Sequence, residues 1–209
     1  SSEKEINYYG TTTNLSIARN ELGATSIGDY ALFAGGTNGN SVFSNVDTYN
    51  SKLVKGTATS LSVKRRLLSA TSIGDYALFA GGYGVSSNYY NTVDTYNSNL
   101  VKGTAASLSV ARQQLAVANT GDYALFAGGY KGGGSTTVVD TYNSNLVKGT
   151  ATNLSDARQQ LSATSIGSYA LFAGGHNGSS QVQIVDTYNS NLVKGTATNL
   201  SVAVQSMAA

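Results

Sequence analysis

The sequence predicts an all-β protein made of four consecutive units, each of four short strands. Three observations carry that prediction. The stretch "VDTYN" recurs at 46–50, 93–97, 139–143 and 185–189, followed each time by a near-identical run through "LVKGT". The pair Gly-Gly recurs at 35–36, 81–82, 128–129 and 174–175, which sets a period of 46 or 47 residues. Proline is absent, and no segment carries the 10–12-residue apolar stripe of an amphipathic helix, so Gly, Asn, Ser and Asp punctuate every turn.

Within a unit each element has its own reason. "LLSATSI" (67–73) alternates small and β-branched residues and reads as the first strand. "DYALFAGG" (75–82) is an apolar run of strand length that stops at the glycine pair. Asp29, Asp75 and Asp122, with Ser168 in the fourth unit, open that second strand as turn residues. "NTVDTYN" (91–97), β-branched and aromatic, is the third strand. "LVKGTATSL" (53–61) alternates apolar with polar and is the fourth. The units run over approximately 14–60, 61–107, 108–153 and 154–199 and make one domain of the 209 residues.

A lone four-stranded sheet cannot cover both of its faces, so the sheets must stack on one another, and radial stacking of such sheets is a β-propeller. The apolar run ending in Gly-Gly, the later tyrosine (Tyr49, Tyr96, Tyr142, Tyr188) and the arginine before the next first strand (Arg19, Arg65, Arg112, Arg158) resemble the kelch repeat. The resemblance covers nearly the whole chain and implies a kelch-like propeller of four blades. It departs from the kelch pattern in having no tryptophan in the repeat, which marks an atypical relative of bacterial or phage type. First strands would line a narrow centre with small polar residues: "GATS" (23–26), "SATS" (69–72), "VANT" (117–120) and "SATS" (162–165).

The ends do not count evenly. "INYYGTTTNLS" (6–16) matches the fourth-strand segment that recurs at 192–201, so residues 6–13 read as a surplus copy of the outermost strand. A spare strand invites pairing with another molecule. The expected partners therefore include a second copy joined through the terminal strand, and a structural or assembly role is the alternative function. At the other end Val204 stands where an arginine is expected.

Variation between units concentrates after each glycine pair: "TNGNSVFSN" (37–45), "YGVSSNYYNT" (83–92), "YKGGGSTTV" (130–138) and "HNGSSQVQI" (176–184). In a propeller these loops share one rim, and loops on a rigid scaffold are where recognition sits. The candidate binding residues are Asn38, Asn40, Phe43, Tyr83, Asn88, Tyr89, Tyr90, Tyr130, Lys131, His176, Asn177 and Gln181. Tyrosine with Ser, Gly and Asn is the mix of an antibody paratope, supplying flat area and adaptable hydrogen bonds. The reading is a binding module for a glycan or a cell-surface protein.

Composition narrows the rest. Charged residues are 11% of the chain against about 25% in ordinary domains, so Ser, Thr, Asn and Gly carry the polar surface, as in extracellular or surface-displayed β proteins. The net charge is +2, and the one basic cluster, Lys64-Arg65-Arg66, is expected to be a solvated face, not a nucleic-acid footprint. No apolar run reaches the 18 or more residues of a membrane helix. There is no cysteine, and the lone His176 is no metal centre by itself. The recurring Asp47, Asp94, Asp140 and Asp186 are expected to pair with the recurring arginines and tie blade to blade. "YKGGGS" (130–135) lacks the lysine and the following helix of a phosphate loop. No catalytic set, metal or cofactor is expected, so an enzyme is not.

Overall fold

The apolar "YALFA" strand has two faces to cover, and the chain covers them by stacking sheet on sheet. The computed structural model describes residues 10–206 and contains four antiparallel four-stranded sheets, with no helix among the described residues. Blade 1 comprises β1 (Gly23–Ile27), β2 (Tyr30–Ala34), β3 (Val46–Asn50) and β4 (Lys55–Ala58). Blade 2 comprises β5 (Ser69–Ile73), β6 (Tyr76–Ala80), β7 (Val93–Asn97) and β8 (Lys102–Ala105). Blade 3 comprises β9 (Ala116–Asn119), β10 (Tyr123–Ala127), β11 (Val139–Asn143) and β12 (Lys148–Ala151). Blade 4 comprises β13 (Ser162–Ile166), β14 (Tyr169–Ala173), β15 (Val185–Tyr188) and β16 (Lys194–Thr196). The strands lie side by side in chain order, and the sheets are the blades of a β-propeller.

Register decides what each face carries. Phe33 pairs with Asp47 and Ala31 with Tyr49 on one face, while Leu32 pairs with Thr48 and Ala34 with Val46 on the other. The first face of blades 2, 3 and 4 meets the second face of the blade before it. Between blades 1 and 2, Ile27, Leu32, Ala34 and Val46 bury against Ala77, Phe79 and Tyr96, with Leu61 and Leu68 of the connecting segment filling the gap. Equivalent positions rebuild the junction between blades 2 and 3 and between blades 3 and 4, with Thr120 in blade 3 where Ile27 and Ile73 stand in blades 1 and 2. Each Phe–Tyr pair meets edge to face with centroids 5.8–5.9 Å apart, a favoured aromatic geometry.

The segments between blades complete the junctions. Arg65 is wholly buried, which corrects the expectation that Lys64-Arg65-Arg66 forms a solvated face: only Lys64 is fully exposed. The Arg65 guanidinium donates to Asp94 at 2.8 Å and to the carbonyls of Phe79, Gly81 and Thr92, all in blade 2. Its own backbone belongs to blade 1, where the Arg65 carbonyl accepts from Gly36 and its N–H donates to Phe43. One residue thereby ties two blades, as expected of the Arg–Asp pairs. Arg112–Asp140 (3.0 Å) and Arg158–Asp186 (2.9 Å) repeat it. Burial pulls these guanidiniums down from their ordinary values, against the attraction of the carboxylates.

Lys55, Lys102, Lys148 and Lys194 each reach the second oxygen of the same aspartate at 2.9–3.2 Å. The serine of each connector (Ser16, Ser62, Ser109, Ser155) donates to it as well. Burial alone would raise the Asp47 carboxyl, but the bonds from Ser16, Arg19 and Lys55 hold it down at about 2.

The glycine pair is explained at the same place. Gly81 has φ +70°, and a Cβ there would lie 2.7 Å from the Arg112 carbonyl. Its neighbour Gly82 has φ +114° and would meet the Arg66 carbonyl at 2.9 Å. A side chain at either position would push the connectors off the sheet.

The four blades form an open arc. β1 packs on β5, β5 on β9 and β9 on β13, while β13 and β1 have no comparable contact. Residues 10–15 form no strand, which alters the expected surplus outer strand; residues 6–9 lie outside the described chain. Instead this segment takes the place of a connector on blade 1: Tyr49 donates to the Thr13 carbonyl at 2.7 Å, as Tyr96 does to Thr59.

Candidate functional site

The loops after the glycine pairs are small hairpins on a common rim. Each is tied at its base by a bridge (Thr37–Val42, Tyr83–Tyr89, Tyr130–Ser135, His176–Gln181), and its first residue bridges to a connector at Asn20, Arg66, Gln113 or Gln159. The rim is therefore built from loops and connectors together.

The geometry sorts the candidate residues. Tyr83 and Tyr89 meet edge to face with centroids 5.1 Å apart, and Tyr89 reaches Tyr130 of the next loop at 5.9 Å with tilted rings. Arg66 lies over the outer face of this group, 5.4 Å from the Tyr83 centroid, and is held by Glu21 at 2.7 Å. A Cβ at Gly132 would strike the Tyr89 ring at 2.9 Å, so that glycine is what lets the third loop close onto the second. The three rings are half-buried, and among the described residues none of their phenol oxygens has a hydrogen-bond partner. Burial, then the nearby Tyr130 and Tyr83, raise the Tyr89 phenol above its ordinary value.

The other candidates do not join this cluster. Phe43 and Tyr90 stand at equivalent positions on the return of their loops, where their backbones bond to the glycine pair and the arginine; Tyr90 also lays its ring on Gly84. Asn38 and Asn177 spend their side-chain oxygens on the N–H groups of their own turns, and His176 Nδ1 accepts from Gly178. Asn88 closes the second loop through its backbone. Asn40, Lys131 and Gln181 are exposed along the rim.

Sequence reasoning missed a second variable set: the pair after each arginine, Asn20-Glu21, Arg66-Leu67, Gln113-Gln114 and Gln159-Gln160. Its signal was present in part, because this pair differs between the first, second and later units, being Gln-Gln in both the third and the fourth. Its second members form a staircase across the centre: Leu67 N–H donates to Glu21, Gln114 to Leu67, Gln160 to Gln114 and Ser206 to Gln160, at 2.8–3.1 Å. All five have φ between 53° and 57°, a conformation uncommon outside glycine, so the ladder is a specified feature of the fold. The first members face the rim. A cavity of about 470 Å³ there is lined by Asn20, Glu21, Thr37, Asn38 and Arg66 among others. Near Tyr130, Gln113 Oε1 and Ser135 Oγ are buried without a partner.

Comparison with known proteins adds the fold. No family model and no curated protein matches the chain. Among solved structures 261 chains match, so the architecture is widely shared and says nothing of function by itself. One of them, the structure of YjhT, has a TM-score of 0.74 at 16% identity, over 90% of this chain and 72% of that one.

Proposed function

We propose that the chain is a non-enzymatic recognition module of kelch type that binds a glycan or a cell-surface protein through this rim, on the outside of a bacterium or phage. The observation that carries the reading is the cluster Tyr83, Tyr89, Tyr130 and Arg66, four side chains from three segments that present ring faces and unpartnered phenol oxygens together. Ring surfaces take up the apolar C–H face of a sugar while phenols and amides satisfy its hydroxyls. The amide-bearing Gln113 beside Tyr130 and the Glu21–Arg66 pair extend the polar part of the surface.

A glycan array and a panel of intact bacterial cells test it. Binding of the parent with loss in Tyr89→Ala and Tyr130→Ala supports the rim as the site. Binding to cells that survives glycosidase but not protease treatment assigns a protein ligand, and the reverse assigns a glycan. Equal signal from parent and variants removes the site from the rim.

A further inference from the structure

We propose that a second copy of this chain seats its blade 1 on the free face of blade 4, head to tail, in the place that residues 200–206 partly cover in the single chain. Four blades have three junctions, each built from the same parts. The two unmatched halves lie at the ends of the arc. On blade 4, Ile166 is 68% exposed, whereas its counterparts Ile27 and Ile73 are 8% and 5% exposed. Leu171 and Leu200 are half-buried where Leu32 and Leu61 are buried. On blade 1, Leu53 is 59% exposed, and with Leu15, Ala31, Phe33 and Tyr49 it lines an apolar cavity of about 370 Å³.

These halves are complementary because they repeat surfaces that already fit. Ile166, Leu171, Ala173 and Val185 are the residue types that Ile27, Leu32, Ala34 and Val46 present to blade 2. Ala31, Phe33, Tyr49 and Leu53 are those that Ala77, Phe79, Tyr96 and Leu100 present to blade 1. A copy docked in this way makes a fourth junction of the existing kind, continuous with the other three. Such a contact is heterologous, and it gives a ring or a helical chain according to the rotation per copy.

The termini decide how the seat is filled. Every internal connector serves two blades, but the terminal ones serve one each. Residues 13–19 are complete on blade 1, where Ser16 and Arg19 hold the buried Asp47. On blade 4, residues 200–206 occupy the connector's place: Leu200 donates to Gln183, Gly175 donates to the Val204 carbonyl at 2.7 Å, and Val182 bridges Val204. A docked copy brings its own connector to those same partners, and one seat holds one connector. Arg19 cannot leave without stranding Asp47, whereas Val204 neutralises no charge. Residues 200–206 are therefore the segment that yields.

Cysteine pairing tests this cleanly because the chain has no cysteine. At the internal junctions a Cβ on Gly28 or Gly74 would lie 2.8 Å from that of Ser98 or Ser144. The matching pair across a head-to-tail contact is Gly167 and Ser51, and a Cβ on Gly167 meets nothing among the described residues. Gly167→Cys and Ser51→Cys proteins are mixed at high concentration under mild oxidation. A covalent dimer is expected from the mixture at several-fold the yield of either protein alone. Removing residues 200–209 should raise that yield about tenfold, and Ile166→Asp, at a position already exposed, should abolish it in both chain lengths. If the truncated chain fails to fold, the full-length mixture with and without Ile166→Asp still decides. A mixed yield no higher than that of the single proteins, or one indifferent to Ile166→Asp, overturns the proposal. So does a folded truncation that leaves the yield unchanged.

Discussion

Blades 2 and 4 carry nearly the same words in different surroundings. "SATSIG" at 69–74 and at 162–167 is one sequence, yet Ile73 is in the core and Ile166 is in solvent, and a Cβ on Gly74 would meet Ser144 while one on Gly167 would meet nothing among the described residues. Burial here is a property of the neighbouring blade, not of the strand. In a stacked repeat each unit supplies half of two interfaces, so stability resides largely at the junctions and the end units are the weak ones.

The largest way to break the comparison is to remove a tie in the middle of the arc. Arg112→Leu leaves the buried Asp140 without its arginine and should cost about 3–5 kcal/mol, read as a fall in the urea midpoint. Gly81→Ala adds a side chain at φ +70°, 2.7 Å from the Arg112 carbonyl, and should cost about 2–3 kcal/mol through strain and displacement of the connector. Ile73→Ala sharpens the contrast directly. It should lose about 2–4 kcal/mol in a core, while Ile166→Ala stays within about 0.5 kcal/mol at a surface; equal losses would mean that blade 4 is covered.

Acid gives a milder test. The Asp47 carboxyl sits at about 2, below its ordinary 3.8. Its contribution is therefore full above about pH 5 and is lost progressively as the pH falls through 3.8 and past 2, by about 2 kcal/mol in all. Asp140 is lowered too and loses its share in the same direction. An unfolding midpoint flat from pH 5 to pH 2 would contradict this. The smallest effect on stability is expected at the rim, where Tyr89→Ala should shift the midpoint by less than about 0.5 kcal/mol.

Much of this was legible from the repeats. Sixteen short strands, four blades and the Arg–Asp tie follow from "YALFAGG", "VDTYN" and an arginine in step. The candidate site was legible only in part. Tyr83, Tyr89 and Tyr130 come together because Gly132 admits the ring between two loops, a contact with no local signal. Phe43 and Tyr90 look alike with them in the sequence but stand on the return of the loop, under the connector. Arg65 sits between Lys64 and Arg66; the three adjacent basic residues suggest a solvated face, and only the recurrence of Arg65 in step with Arg19, Arg112 and Arg158 marks the middle one as the buried tie.

By itself the sequence determined the strands, their order and the unit, because period-two alternation and turn residues act over a few positions. It also set the pairing of blades, because identical units can only offer identical faces. Only the tertiary structure decided that the arc stays open, that residues 10–16 act as a connector on blade 1, and that 200–206 lie over half a seat. Those outcomes depend on the rotation between stacked sheets and on competition for one set of backbone partners, which are properties of the assembled blades and not of any one repeat.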